Sequence, residues 1–173
     1  RDWCQGATPE QLENITFSNN KLLSGPPIAE HSIAMLLALA RDLPSYIRSQ
    51  QKAKWQRRGS GRNSFGELSG KTMLVAGLGG IGTEVARRAH GLGMRVIATR
   101  HSSREGPDFV EDVGLSDELH KLAAQADVVV NALPLTSTTT NLFDKTFFDA
   151  VKPGAIFISV GRGKSTVTAD LVA

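Results

Sequence analysis

Short apolar runs with no polar alternation recur in the second half of the chain: Thr72–Ala76, Met94–Thr99, Val128–Val130 and Ala155–Val160. Runs of this kind fit strands buried on both faces, as in a parallel sheet covered by helices. Between the first two, Ile81, Val85, Ala89 and Leu92 follow a near-helical spacing, and Gly91 with Gly93 ends the segment. Asp117–Gln125 reads as a short helix capped by Ser116 or Asp117. Asp144–Val151 reads as another, stopped by Lys152-Pro153-Gly154, and Thr168–Ala173 begins a third. Arg100–Gly114, with its Gly106-Pro107 pair, reads as a polar connection. Strands alternating with helices predict an α/β fold, a doubly wound parallel sheet of Rossmann type flanked by helices.

The first half has a different pattern. Residues 1–25 are polar and irregular, with Ile15–Phe17 as one short candidate strand before the turn residues Asn19 and Asn20. Pro26 and Pro27 open a helix, since proline is tolerated in a first helical turn. From Ile28 to Ala40 that helix is apolar on nearly all sides, which predicts burial between domains or subunits and a homodimer. Pro44 breaks or kinks it, the pattern resumes weakly over Ser45–Trp55, and Gly59–Asn63 reads as a loop.

The first apolar run leads into Gly77-Leu78-Gly79-Gly80-Ile81-Gly82, a G-x-G-x-x-G sequence between a strand and a helix. In that setting the first glycine permits a tight turn. The second lets backbone approach a pyrophosphate, and the third lets the helix pack closely on the strand. The following helix would turn its free N–H groups and positive dipole end toward the phosphates, so Gly77, Gly79, Gly80, Ile81 and Gly82 are candidate cofactor-binding residues. With the second strand this makes a βαβ unit of about 30 residues.

Such folds that take NAD carry an acid about 20 residues beyond the glycines, where it accepts a hydrogen bond from the ribose 2′-hydroxyl. Here Arg100 holds that place and the chain continues His101-Ser102-Ser103-Arg104. A carboxylate would repel a 2′-phosphate, whereas a guanidinium binds one bidentately and hydroxyls add hydrogen bonds. Arg100, His101, Ser102 and Arg104 therefore point to NADP, with NAD the other possibility.

Composition changes this picture little. The 20 Lys and Arg against 17 Asp and Glu leave a net charge of +3. Basic residues cluster around Trp55 (Arg48, Lys52, Lys54, Arg57, Arg58, Arg62), a pattern that can mark nucleic-acid binding but is favoured here as a solvated helix end. The longest apolar run, Ile33–Ala40, is too short to span a bilayer, and no secretory leader is visible. A single cysteine, Cys4, excludes an internal disulfide and fits a reducing compartment. The expectation is a cytoplasmic protein with neither nucleic acid, membrane nor metal as a partner.

Three further stretches bring a family into view: Ile28-Ala-Glu30-His31 through Leu36-Leu-Ala-Leu-Ala-Arg41, Ala126-Asp127 through Pro134-Leu-Thr136 to Thr139, and Lys152-Pro153-Gly154 through Gly161-Arg162-Gly163. With Gly70-Lys71-Thr72 and the glycine loop, the chain from about Ile28 onward resembles the D-isomer-specific 2-hydroxyacid dehydrogenases, a group that includes hydroxypyruvate, glyoxylate and phosphoglycerate reductases. The resemblance implies that Arg162 grips the substrate carboxylate and polarises its keto oxygen, a role suited to a permanently charged planar fork. It implies that Ala132, Leu133, Pro134 and Thr139 line the cofactor, with Val160 and Gly161 beside it. It divides the chain into a substrate-domain remnant or irregular arm (1–25), an interdomain helical segment (26–65) and a dinucleotide-binding domain (66–173).

The family's proton donor, a histidine supported by a glutamate, falls beyond the last residue. His31 on the apolar helix reads as structural, His90 lies in the glycine-loop helix, His101 on the adenosine side, and His120 in a polar helix. None suits the acid role. The expectation is a part of a longer reductase of small 2-keto acids such as glyoxylate or hydroxypyruvate, able to bind cofactor with little or no turnover alone. The alternatives are a non-catalytic dinucleotide-sensing module resembling the family's co-repressor relatives and an unrelated NAD(P)-binding domain.

Overall fold

The computed structural model describes residues 6–13, 15–16, 23–55 and 66–172. Thr72, Met73, Leu74, Val75 and Ala76 form β1 (Thr72–Ala76), buried at every position. Side chains alternate along a strand, so Met73 and Val75 enter one core while Leu74 and Ala76 enter another on the opposite face. The first core contains Ala29 and Leu36 of α2 (Gly25–Ala40) and Val85 and Ala89 of α4 (Gly80–Gly91). The second contains Leu119 and Leu122 of α5 (Leu119–Ala123) and Phe147 of α6 (Lys145–Ala150), whose ring meets that of Phe143 edge-on at 4.8 Å. A run with no polar alternation is what a strand between two apolar layers requires.

Around β1 stand β2 (Arg95–Arg100), β3 (Asp112–Leu115), β4 (Val128–Asn131) and β5 (Ile156–Ser159). All pairings are parallel and the order is β3-β2-β1-β4-β5. Ala76 pairs with Thr99 on one side and Asn131 on the other. The chain therefore builds outward from β1 through β2 and β3, then crosses back to β4. The carboxyl ends of β1 and β4 flank this reversal, the place where ligands bind in open α/β sheets.

The structure corrects the sequence reading in four places. The polar connection Arg100–Gly114 holds all of β3 but its last residue, Leu115, and the strand has only Val113 and Gly114 buried. Asp112 and Gly114 hide it, since both are poor strand formers tolerated at a sheet edge. Helix α2 is not covered all round: Gly25, Ala29, Ser32, Leu36 and Ala40 are buried, while Leu37 and Leu39 are 36% and 46% exposed. The buried residues are mostly small, which lets α2 lie close to α4, and Arg88 of α4 ties the pair by reaching Glu30 of α2 at 3.2 Å while Glu84, one turn back on its own helix, holds it at 2.6 Å. The helix does not run to Pro44: α2 ends at Ala40, and Pro44 stands in the first turn of a separate helix, α3 (Leu43–Gln51), which ends before Trp55. Ile15 and Thr16 have no regular structure, and Phe17 lies outside the described residues, as do Cys4, Arg57, Arg58 and Arg62. The short helix α1 (Pro9–Leu12) is capped by Thr8. No described helix is long and apolar enough to cross a membrane.

Candidate functional site

The glycine loop owes its shape to two close approaches. Gly77 has φ +96°, and a Cβ there would sit 2.9 Å from Leu133 Cδ2 and 3.2 Å from the Ala132 carbonyl. Gly82 lies against the Gly77 carbonyl oxygen so closely that a Cβ would collide with it. The Leu78 N–H donates to the Thr99 carbonyl at 3.0 Å, which fastens the loop to β2. Gly79 is exposed, with nothing within 4 Å of where its Cβ would be. It precedes the first turn of α4, which no side chain caps. The first-turn N–H groups of a helix have no intrahelical partners, so Gly80, Ile81 and Gly82 form a clear anion-receptive end beside open ground.

A cleft of about 520 Å³, lined by none of the glycine-loop residues, lies at the carboxyl ends of the strands. Thr99, Arg100, His101, Ser116 and Asp117 form one wall, and Leu133, Pro134, Thr136, Thr138 and Thr139 the other, with Leu119 and Leu142 contributing apolar surface. Arg100 ends β2 and its Nη1 donates to the Glu105 carbonyl at 2.8 Å, holding the guanidinium at the wall. The threonine wall is a turn bound by its own hydroxyls. Thr139 Oγ1 donates to the Pro134 carbonyl at 2.7 Å and accepts the Thr136 N–H at 2.8 Å.

The structure thus brings Arg100, His101, Leu133, Pro134 and Thr139 around one cleft. It does not bring in Ser102 or Arg104. Ser102 is exposed, and Arg104 is drawn to Glu118, Nη1 to Oε2 at 2.7 Å. The Leu115 N–H and the Arg104 guanidinium, both bound by Glu118, hold its carboxyl below the usual range against a small opposing effect of burial. Ala132 backs the glycine loop through its backbone, Val160 packs against the first core, and Gly161 lies against the Leu133 carbonyl. Arg162 is exposed just past β5, at the same edge of the sheet.

The sequence reading missed the groups behind this edge. Asn131, last residue of β4, is fully buried. Its Nδ2 donates to Ser159 Oγ at 3.0 Å and Ser165 Oγ at 2.9 Å, and its Oδ1 accepts the Leu133 N–H at 3.0 Å. A polar residue closing an apolar strand was the available signal. The opposite edge carries Asp127, which accepts the Thr72 N–H at 2.8 Å and Lys152 Nζ at 3.1 Å. Burial pushes its carboxyl up, but these two partners outweigh it and hold the group below its ordinary value. This pair fastens strand ends remote from the cleft.

Of the histidines, His31, read from the sequence as structural, is exposed on α2. The His90 ring lies 6.2 Å from Phe109, His120 meets the Phe147 ring at 5.9 Å, and only His101 reaches the cleft. Among the described residues no three His, Cys, Asp or Glu side chains gather as a metal set.

A family model described as "D-isomer specific 2-hydroxyacid dehydrogenase, NAD binding domain" matches residues 33–173. Among curated relatives, the D-3-phosphoglycerate dehydrogenase of Archaeoglobus fulgidus is 37% identical over 137 residues, covering 78% of this chain and 25% of that protein. The glyoxylate reductase of Pyrococcus furiosus is 32% identical over 173 residues, covering 95% of this chain and 46% of its own. A probable 2-hydroxyacid dehydrogenase from Rhizobium etli, solved in complex with NADP, HEPES and L(+)-tartaric acid, superposes with a TM-score of 0.76 at 26% identity, covering 91% of this chain and 49% of that one. The chain therefore spans between about a quarter and half the length of these relatives.

Proposed function

The chain belongs to the D-isomer specific 2-hydroxyacid dehydrogenase family, and on that premise we propose that it binds NADPH in preference to NADH and serves the reduction of a small 2-keto acid, such as glyoxylate or hydroxypyruvate, to the D-2-hydroxy acid. One observation carries the reading. The uncapped end of α4, the Arg100 cleft and Arg162 all occupy the carboxyl edge of the sheet around the β1–β4 reversal. The residues present fit a dinucleotide, since Gly79 leaves open ground for a pyrophosphate and the cleft has apolar surface for a base. The NADP in the Rhizobium etli structure supports the same ligand class.

Bound NADPH supplies a hydride. The chain's own residues do the rest in this reading. The α4 N-terminus holds the pyrophosphate, Arg100 and His101 receive the 2′-phosphate, and Leu133, Pro134 and Thr139 position the adenosine half. Arg162 binds the keto-acid carboxylate, orients the carbonyl, and opposes the negative charge that develops on its oxygen. Ser102 and Arg104 take no direct part in this reading, because neither lines the cleft. The partly exposed Leu43 and Ile47 with Trp55, 92% exposed, support a homodimer surface along α3.

The test is steady-state reduction of glyoxylate and hydroxypyruvate by the natural gene product, followed by loss of NADPH absorbance. Turnover with either acid that falls at least a hundredfold in Arg162→Ala is expected. Full turnover in that variant would refute the role of Arg162.

A further inference from the structure

Asn131 and Ser165 are both fully buried, and nothing in the reading above uses them. Each sits at a junction. Asn131 ends β4, two residues before Leu133 of the cleft wall. Ser165 closes the short turn Gly163–Ser165 that follows Arg162.

Their hydrogen bonds have a fixed direction. An amide nitrogen only donates, so Asn131 Nδ2 gives its two protons to Ser159 Oγ and Ser165 Oγ. Ser165 has a single hydroxyl proton, and with its oxygen already accepting, that proton goes to the Arg162 carbonyl at 2.7 Å. The same carbonyl also accepts the Ser165 N–H at 3.0 Å. On the other side Asn131 Oδ1 accepts the Leu133 N–H. One buried amide thereby links the backbone of the cofactor wall to the backbone that presents Arg162. Backbone bonds reinforce both ends: Val160 N–H donates to the Asn131 carbonyl at 3.0 Å, and Phe143 N–H to the Ser165 carbonyl at 3.0 Å.

We propose that Asn131, acting through Ser165, is a positioning residue that fixes Arg162 relative to the bound nicotinamide dinucleotide, so that carboxylate binding depends on this buried chain although neither side chain touches the carboxylate. The inference rests on the assignment of Arg162 to the substrate carboxylate. Exposed arginine alone has many rotamers and a mobile loop would add more. Pinning the Arg162 carbonyl removes the loop's share. Asn131 is suited to this by having donors on one side and an acceptor on the other, which no aliphatic residue and no carboxylate provides.

The carboxylate makes the instructive comparison. Asn131→Asp retains the shape and the acceptor for Leu133 N–H, but replaces the donors with an acceptor. The only proton Ser165 has is then claimed by the new carboxylate and withdrawn from the Arg162 carbonyl. Ser165→Ala withdraws the same proton with no new charge.

The experiment measures two affinities on the natural gene product that carries this chain: NADPH by nicotinamide fluorescence, then oxalate, a planar keto-acid mimic, added to the NADPH-loaded protein. Ser165→Ala and Asn131→Asp are each expected to weaken oxalate about fivefold to tenfold, the weight of one neutral hydrogen bond, with NADPH affinity within about twofold of wild type. Ser165→Thr, which keeps the hydroxyl, is expected to restore oxalate affinity. Equal losses of both ligands, or no loss of oxalate in Ser165→Ala, would overturn the proposal; Ser165→Ala alone decides it if Asn131→Asp fails to fold. Arg162→Ala separates the two ideas. If wild type binds no oxalate, or Arg162→Ala binds it unchanged, the assignment of Arg162 fails and this inference falls with it. If Arg162→Ala abolishes binding while Ser165→Ala does not weaken it, only the positioning role fails.

Discussion

The Arg104 guanidinium lies 2.7 Å from the Glu118 carboxylate, which itself accepts the Leu115 N–H at 2.9 Å. The chain after β2 is therefore latched to the turn after β3, and Arg104 is engaged before any ligand arrives. Among the described residues Arg100 bonds only a backbone carbonyl, and it lines the cleft. Arg100→Asp is expected to weaken NADPH by about tenfold to a hundredfold, the range of a charge-assisted hydrogen bond, and to reverse the preference toward NADH. Arg104→Ala is expected to change NADPH affinity by less than about threefold. Fluorescence titration of both variants with both cofactors checks the pair, and a larger loss in Arg104→Ala would shift 2′-phosphate recognition to that residue.

The glycine loop separates folding from binding. Gly82→Ala places a methyl group against the Gly77 carbonyl, which is backbone and cannot rotate away. Overpacking of this kind destabilises by about 1–3 kcal/mol, and thermal unfolding should show it as a Tm lowered by several degrees. Gly79 has extended backbone and open surroundings. Gly79→Ala should keep the wild-type Tm yet weaken NADPH at least tenfold, because its methyl group occupies the ground left for the pyrophosphate. Unchanged NADPH binding would remove Gly79 from the phosphate site.

Asp127 gives the fold a pH dependence. Its carboxyl is held below its ordinary value in the folded chain. A depressed carboxylate contributes stability that is present above its unfolded pKa of about 3.9 and is lost as pH falls through the folded value. Asp127→Asn, which loses the bond from Lys152, should lower stability by about 1 kcal/mol near neutral pH. The difference from wild type should shrink to nothing in strong acid. Urea denaturation at several pH values measures this, and a gap that widens on acidification would contradict it.

The proposed homodimer is tested at α3. Ile47 is 53% exposed and Leu43 45% exposed on a helix that borders a groove containing Tyr46 and Trp55. Ile47→Glu should convert a sedimenting dimer to a monomer with its Tm for NADPH-protected unfolding otherwise intact. A wild-type monomer at micromolar concentration would refute the surface.

The sheet was legible because its strands are apolar on both faces, and the glycine loop because its context was right. The position of Arg100 at the end of β2 could be read from the run before it. What escaped were features with no periodic signature. β3 is an edge strand with Asp112 and Gly114 in it, too short and polar to announce itself. The half-exposed state of α2 was hidden because Leu37 and Leu39 look identical to core residues in one dimension. The ion pair of Arg104 with Glu118, 14 residues on, has no local signature either. Asn131 and Ser165 lie 34 residues apart, so nothing local could reveal that they meet.

The most direct measurement is titration of the chain with NADPH and NADH while nicotinamide fluorescence is followed. The account predicts saturable binding of both with NADPH at least tenfold tighter, and a preference that Arg100→Asp reverses. Tighter binding of NADH by the wild-type chain would contradict it.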